Sequence, residues 1–233
     1  MGEVSRAWDE GLQRYVALKV LRRDDPELVE RLLREARAQA RLDHPNICKV
    51  FQGDYVGGRP TIVMQFIDGR RLDEAAVEMT LEDKVKLIRD AAEAVHHAHT
   101  AGIIHRDLKP GNIMVARRDD GTWHPWLVDF GIAHEVAAPG LTRTGQVMGT
   151  PSYMAPEQIS GDPGAIDRRT DVYALGAVLY ELLTGTPPFR RDSDIATMIS
   201  ALSEEPPQPR AMAPSIPRDL ETVVLRCLDK EPH

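Results

Sequence analysis

The chain has 233 residues, 42% of them hydrophobic, which is enough for a packed core and excludes a disordered segment. A formal net charge of −7, with 29 Lys and Arg residues scattered rather than gathered into a tract, argues against a nucleic-acid partner. Cys48 and Cys227 lie in apolar runs without CxxC or metal-ligand spacing and read as buried thiols in a reducing compartment.

The opening MGEVSRAWDE has neither a basic n-region nor an apolar h-region, so no signal peptide is read there. Arg6 stands where a myristoylation signal needs Ser or Thr. Tyr15 to Leu21 (YVALKVL) is rich in β-branched and large apolar residues, ends at the turn-forming RRDDP, and predicts a strand. DDPELVERLLREARAQARL repeats apolar residues at Leu28/Val29, Leu32/Leu33, Ala36 and Ala40, with Pro26 at a permitted first helical position, and predicts an amphipathic helix. NICKVFQGDYVGGRPTIVMQFIDG reads as two strands joined by a Gly-Gly turn.

From about Gly69 the pattern turns helical. LEDKVKLIRDAAEAVHHAHTAG predicts a helix behind Thr80, which with Asp83 forms a weak capping box, and a stop at Gly102. IIHRDLKPGNIMV then sets a histidine, two cations, an aspartate and an asparagine between two apolar runs read as strands, so HRDLKPGN is a tight polar loop. Val172 to Leu183 (VYALGAVLYELL) is apolar on nearly every side, too short to cross a bilayer, and predicts a buried helix. Two further helices are read near Asp194 to Leu202 and Arg218 to Leu228, with EEPPQPRAMAPSIP as a proline-punctuated connector. The layout predicts an α+β fold of two lobes, small and β-rich over residues 1–67 and larger and helical over 68–233, with a ligand cleft between them.

Any one residue of the polar loop is read most simply as part of a solvated turn. In combination, VALK, LREAR, HRDLKPGN, Asp129-Phe130-Gly131 and GTPSYMAPE, in that order, resemble a protein kinase catalytic domain of the bacterial, eukaryotic-like Ser/Thr type. The resemblance covers essentially the whole chain. Phosphoryl transfer requires a hydroxyl placed in line with phosphorus and neutralisation of crowded oxygens. The resemblance implies that Asp107 accepts the acceptor hydroxyl's proton or orients that hydroxyl. Lys109 would steady the γ-phosphate, which points to Ser/Thr acceptors, and Asn112 with Asp129 would hold Mg²⁺, Mn²⁺ being the alternative. Lys19 would reach the α- and β-phosphates of ATP, with Glu35 as its helix carboxylate.

The nucleotide pocket implied by the family takes in Gly2, Val4 and Ala17, and the hinge VMQFIDG with Met64 as gatekeeper, Gln65 and Ile67. Supporting roles fall on His105 packing near Phe130, Arg106, Thr150 bonded to the catalytic loop, Glu157 anchoring its segment, and Asp171 bracing the HRD backbone. Thr142 and Thr144 resemble autophosphorylation sites whose phosphates would pair with Arg106 and order the loop. The implied function is an ATP-dependent protein Ser/Thr kinase acting on proteins, with a homodimer for trans-autophosphorylation, in the cytoplasm unless regions outside this sequence anchor it to a membrane. The alternatives are a pseudokinase or kinase-like fragment acting as a binding module, and a small-molecule phosphotransferase, against which GTPSYMAPE speaks.

Three departures from the family stand out. Only the last glycine of the Gly-rich loop is matched, by Gly2, and the preceding strand is missing. DKEPH stops before the arginine that pairs with Glu157 in the family, so an incomplete domain is expected. Gln39 takes the place of an apolar residue packing on Phe130. His96 and His99, an i, i+3 pair in HHAH, are read as surface or packing residues, and no zinc site is expected.

Overall fold

The computed structural model describes residues 3–21, 26–130, 150–161 and 164–231. Strands β1 (Glu3–Asp9), β2 (Arg14–Val20), β3 (Val50–Val56) and β4 (Arg59–Gln65) form one sheet in the order β1-β2-β4-β3, antiparallel throughout. β1 was not read as a strand, because EVSRAWD is mostly polar and exposed and lacks an apolar alternation. It is extended because it pairs residue for residue with β2, from Glu3 opposite Val20 to Asp9 opposite Arg14. Gly57 and Gly58 close the β3–β4 hairpin with φ of 57° and 75°, a backbone region that glycine enters without a Cβ penalty.

Helix α1 (Pro26–Gln39) lays Val29, Leu32, Leu33 and Ala36 against Leu21, Val50 and Ile62, so its apolar stripe and the inner sheet face make one small core. Gly53 lets the helix approach: a Cβ there would meet the Ala36 Cβ at 3.0 Å and the Leu33 carbonyl oxygen at 3.2 Å.

The second part holds a three-stranded antiparallel sheet of β5 (Arg70–Arg71), β6 (Ile113–Arg117) and β7 (Trp123–Leu127). Its helices are α2 (Leu72–Ala75), α3 (Leu81–Thr100), α4 (Pro156–Ser160), α5 (Arg168–Thr184), α6 (Asp194–Ser203), α7 (Pro209–Met212) and α8 (Arg218–Cys227). The cap of α3 is stronger than its sequence suggests, with the Asp83 N–H donating to Thr80 Oγ1 at 3.1 Å and the Thr80 N–H to the Asp83 carboxylate at 3.0 Å. Ile103 and Ile104, read as a strand, belong to none. The Ile103 N–H instead donates to the Ala98 carbonyl at 2.9 Å and closes the end of α3. Short α7 lies inside the connector read as irregular.

α5 is the axis of this part, with Tyr173, Ala174, Ala177 and Val178 packed in one core with Leu87, Ala91 and Val95 of α3. Gly176 is where α8 comes nearest, since a Cβ there would lie 2.5 Å from the Cys227 Cβ. Leu108, Ile113, Leu127 and Phe130 belong to the same core, which anchors the polar loop from beneath. Segment 40–49 stitches the two parts together. Its Cys48 N–H donates to the Leu127 carbonyl at 2.9 Å, the Leu127 N–H to the Asn46 carbonyl at 2.8 Å, and the Gln65 N–H to the Lys49 carbonyl at 2.8 Å. Among the described residues no helix is long and apolar enough to cross a membrane.

Candidate active site

The polar loop is held from both sides. Asp171, in the first turn of α5 and 0% exposed, accepts the backbone N–H groups of His105 and Arg106, each at 2.8 Å, and lies 2.7 Å from His99 Nε2. Those contacts stabilise a backbone that bends hard, for Arg106 has φ 64°, a region costly for a residue with a Cβ. His105 is buried completely. Its Nε2 donates to the Val128 carbonyl at 3.1 Å, its Nδ1 accepts the Asp107 N–H at 3.3 Å, and its ring lies 4.5 Å from that of Phe130. Burial pushes its imidazole pKa down against the opposing pull of Asp171 and Asp107, so the ring is neutral and one tautomer satisfies both bonds.

On this support Asp107, Lys109 and Asn112 form one hydrogen-bonded unit. Lys109 Nζ lies 3.0 and 2.8 Å from the two Asp107 carboxylate oxygens. Asn112 Nδ2 donates to the same carboxylate at 2.9 Å and to the Asp107 backbone carbonyl at 2.8 Å. Because its amide nitrogen is engaged there, Asn112 keeps its amide oxygen for another partner. Its backbone carbonyl accepts the Val128 N–H at 3.0 Å, which sets the loop beside Asp129.

Across the cleft, Lys19 Nζ of β2 is 2.6 Å from Asp129 Oδ1. The family resemblance names Glu35 as the partner of Lys19. Glu35 is instead 3.5 Å from Arg31 one turn earlier on α1. The Lys19 side chain is only 15% exposed, and a charge so enclosed takes the nearest carboxylate. Asp129, at φ 59°, points its side chain across the cleft toward β2. Gln39, further along α1, is 4% exposed with its amide oxygen buried and without a partner among the described residues.

Ala17 and Met64 stand opposite each other on β2 and β4, Val4 opposite Lys19, and Gln65 and Ile67 continue into the hinge. Gly2, Thr142 and Thr144 lie outside the described residues. Thr150 is exposed, and it is Gln158 that ties its segment to the loop, through Nε2 donating to the Arg106 carbonyl at 2.8 Å. Glu157 accepts the Thr170 hydroxyl at 2.6 Å, so its carboxylate is partnered within the chain. Tyr153 donates its hydroxyl to Glu181 at 2.6 Å and thereby fixes the segment to α5. Gln158, Tyr153 and Glu181 were not singled out from the sequence, where nothing but their place in or near GTPSYMAPE and on α5 marks them. Cys48 is buried beside the hinge, its thiol pushed up to about 12 by burial and by Asp129, so it is not a nucleophile here.

Among the described residues no cluster of three or more His, Cys, Asp or Glu side chains is placed to hold a metal. The donors at hand are the Asp129 carboxylate and the Asn112 amide oxygen, hard oxygens that suit Mg²⁺, an ion that keeps several waters and takes few protein ligands. The residues therefore fit a hard divalent ion. A cavity of about 590 Å³ lies elsewhere, among mainly apolar residues of α3, α5 and α8.

The family model described as "Protein kinase domain" matches residues 1–233. The serine/threonine-protein kinase PknB of Mycobacterium tuberculosis is 42% identical over 245 residues, covering 100% of this chain and 38% of the relative. The serine/threonine-protein kinase pkn3 of Myxococcus xanthus is 41% identical, covering 100% of this chain and 44% of the relative. The chain thus spans about two fifths of the length of these curated relatives. The crystal structure of the Mycobacterium tuberculosis PknI kinase domain superposes with a TM-score of 0.76 at 30% identity, covering 100% of this chain and 84% of that one.

Proposed function

The chain belongs to the protein kinase domain family, and from that premise we propose that it is a protein serine/threonine kinase that transfers the γ-phosphate of ATP to Ser or Thr hydroxyls of proteins. One observation carries the reading. The Lys19–Asp129 pair bridges the cleft, and the Asp129 end of it stands beside the hydrogen-bonded unit of Asp107, Lys109 and Asn112.

In the proposed reaction the acceptor oxygen bonds to the γ-phosphorus, the bond from that phosphorus to the β–γ bridging oxygen breaks, and ADP leaves. The hydroxyl proton passes to Asp107, which Asn112 holds in place. Lys109 turns from Asp107 to the γ-phosphate, and its charge offsets that of the transferred group. Lys19 meets the α- and β-phosphates. A shift of α1 that brings Glu35 to Lys19 would release Asp129 to act with Asn112 as a metal ligand. When bound, Mg²⁺ supplies charge neutralisation at the phosphates. Val4, Ala17, Met64, Gln65 and Ile67 line the base subsite in this reading, with the hinge backbone facing adenine. His105, Arg106, Phe130, Glu157 and Asp171 hold the loops.

The test is phosphate transfer from labelled ATP to a generic basic protein. Asp107→Asn is expected to lower the rate by about 10²–10⁴-fold while nucleotide affinity stays within about twofold, since the carboxylate faces the acceptor rather than the base. Equal rates for the two proteins would overturn the assignment. The proposal extends to autophosphorylation at Thr142 and Thr144, resting on the sequence, and to a homodimer that performs it in trans. Mass spectrometry after incubation with ATP, finding both threonines unmodified in an active protein, would remove that part.

A further inference from the structure

In an antiparallel pair, directly opposed residues project from the same face. Val4 opposes Lys19, Arg6 opposes Ala17, and Ala17 opposes Met64. Arg6 therefore stands on the face that carries Lys19, in the row of Ala17 and Met64 to which the base subsite is assigned. Its guanidinium carbon is 4.6 Å from the centroid of the Tyr15 ring and 5.6 Å from that of Phe66, the first hinge residue after β4. The two rings lie 6.2 Å apart, and Trp8 meets Tyr15 edge-on at 5.0 Å. Among the described residues these ring contacts are the interactions of Arg6, and no carboxylate claims its charge. A planar cation is thus parked by stacking alone at the outer end of the row, with its N–H donors open to a ligand.

We propose that Arg6 is a nucleotide-contacting residue that sets base affinity. Its guanidinium swings from the Tyr15–Phe66 stack onto the exposed face of the purine and stacks on the ring. This rests on the kinase reading above. It adds to that reading a contact to the base made by a β1 residue outside the Gly-rich signature.

The experiment titrates the protein with ADP and with adenosine by calorimetry, and follows tryptophan emission, to which Trp8 contributes from its contact with Tyr15. Binding of either ligand to the wild-type protein tests the nucleotide reading separately; if neither binds, that reading and this one both fall. With binding established, Arg6→Ala is expected to raise the Kd for ADP and for adenosine by the same factor, about three- to fivefold. It should also abolish the ligand-induced change in emission while the protein melts with the wild type. An adenosine Kd unchanged by Arg6→Ala overturns the proposal, as does weakening confined to ADP, which would make Arg6 a phosphate contact instead.

Discussion

Replacing Asp171 by Asn keeps the size of a fully buried side chain and removes one acceptor and the charge. In the structure its two carboxylate oxygens receive two backbone N–H groups, at 2.8 Å each, and His99 at 2.7 Å. The asparagine oxygen can still accept from one of the backbone groups. The other N–H then faces an amide –NH₂, a donor against a donor, in a place without water. A lost charge-assisted bond and a stranded buried donor together come to about 3 kcal/mol, a large part of the 5–15 kcal/mol that typically separates folded from unfolded chains. For a domain of this length that is about 6–12 °C in Tm. Chemical and thermal unfolding measure it. The same variant should lose phosphoryl transfer at temperatures where it is folded, because the Arg106 backbone at φ 64° is held by these bonds and Asp107 follows it directly. An Asp171→Asn protein within about 0.5 kcal/mol of wild type would refute the energetic argument. A destabilised protein with an unchanged kcat would refute the claim that Asp171 positions the loop.

Gln39→Leu should stabilise the protein by about 1–2 kcal/mol, because it removes an amide oxygen that is buried without a partner; a fall in denaturation midpoint would show that water or a relaxed geometry satisfies the group. Gly176→Ala should cost about 1–3 kcal/mol, since the new Cβ would sit 2.5 Å from that of Cys227, and differential unfolding against the wild type checks it. Stability should also fall with acidification below about pH 6.5. Burial holds His105 neutral in the folded state, so as pH drops through the ordinary histidine range the unfolded chain takes up a proton that the folded chain refuses. That one residue contributes a slope of up to about 1.4 kcal/mol per pH unit. His44 and His124, both lowered chiefly by burial, act in the same direction. His105→Phe should flatten the slope over pH 5–7; an unchanged slope would assign it to other groups.

The sequence by itself fixed the main helices and the inner strands. Their apolar residues recur at the helical or strand period, and that recurrence is a property of the linear chain: Val29, Leu32, Leu33 and Ala36 on α1, and the nearly all-apolar α5. Asp107, Asn112 and Asp129 were legible as candidates through the family resemblance, because HRDLKPGN and Asp129-Phe130-Gly131 are short motifs contiguous in the chain. Tertiary structure decided what depends on partners far along the chain. β1 is extended only because β2 lies beside it, and Ile103 caps α3 instead of joining a sheet. Gln158 rather than Thr150 reaches the catalytic loop. Above all, the resemblance names Glu35 as the partner of Lys19, and the structure sets Asp129 against it instead. The choice falls to Asp129 at 2.6 Å because the distance between an enclosed ammonium and each acid is set by how α1 and the loop after β7 are packed, and no local pattern encodes it.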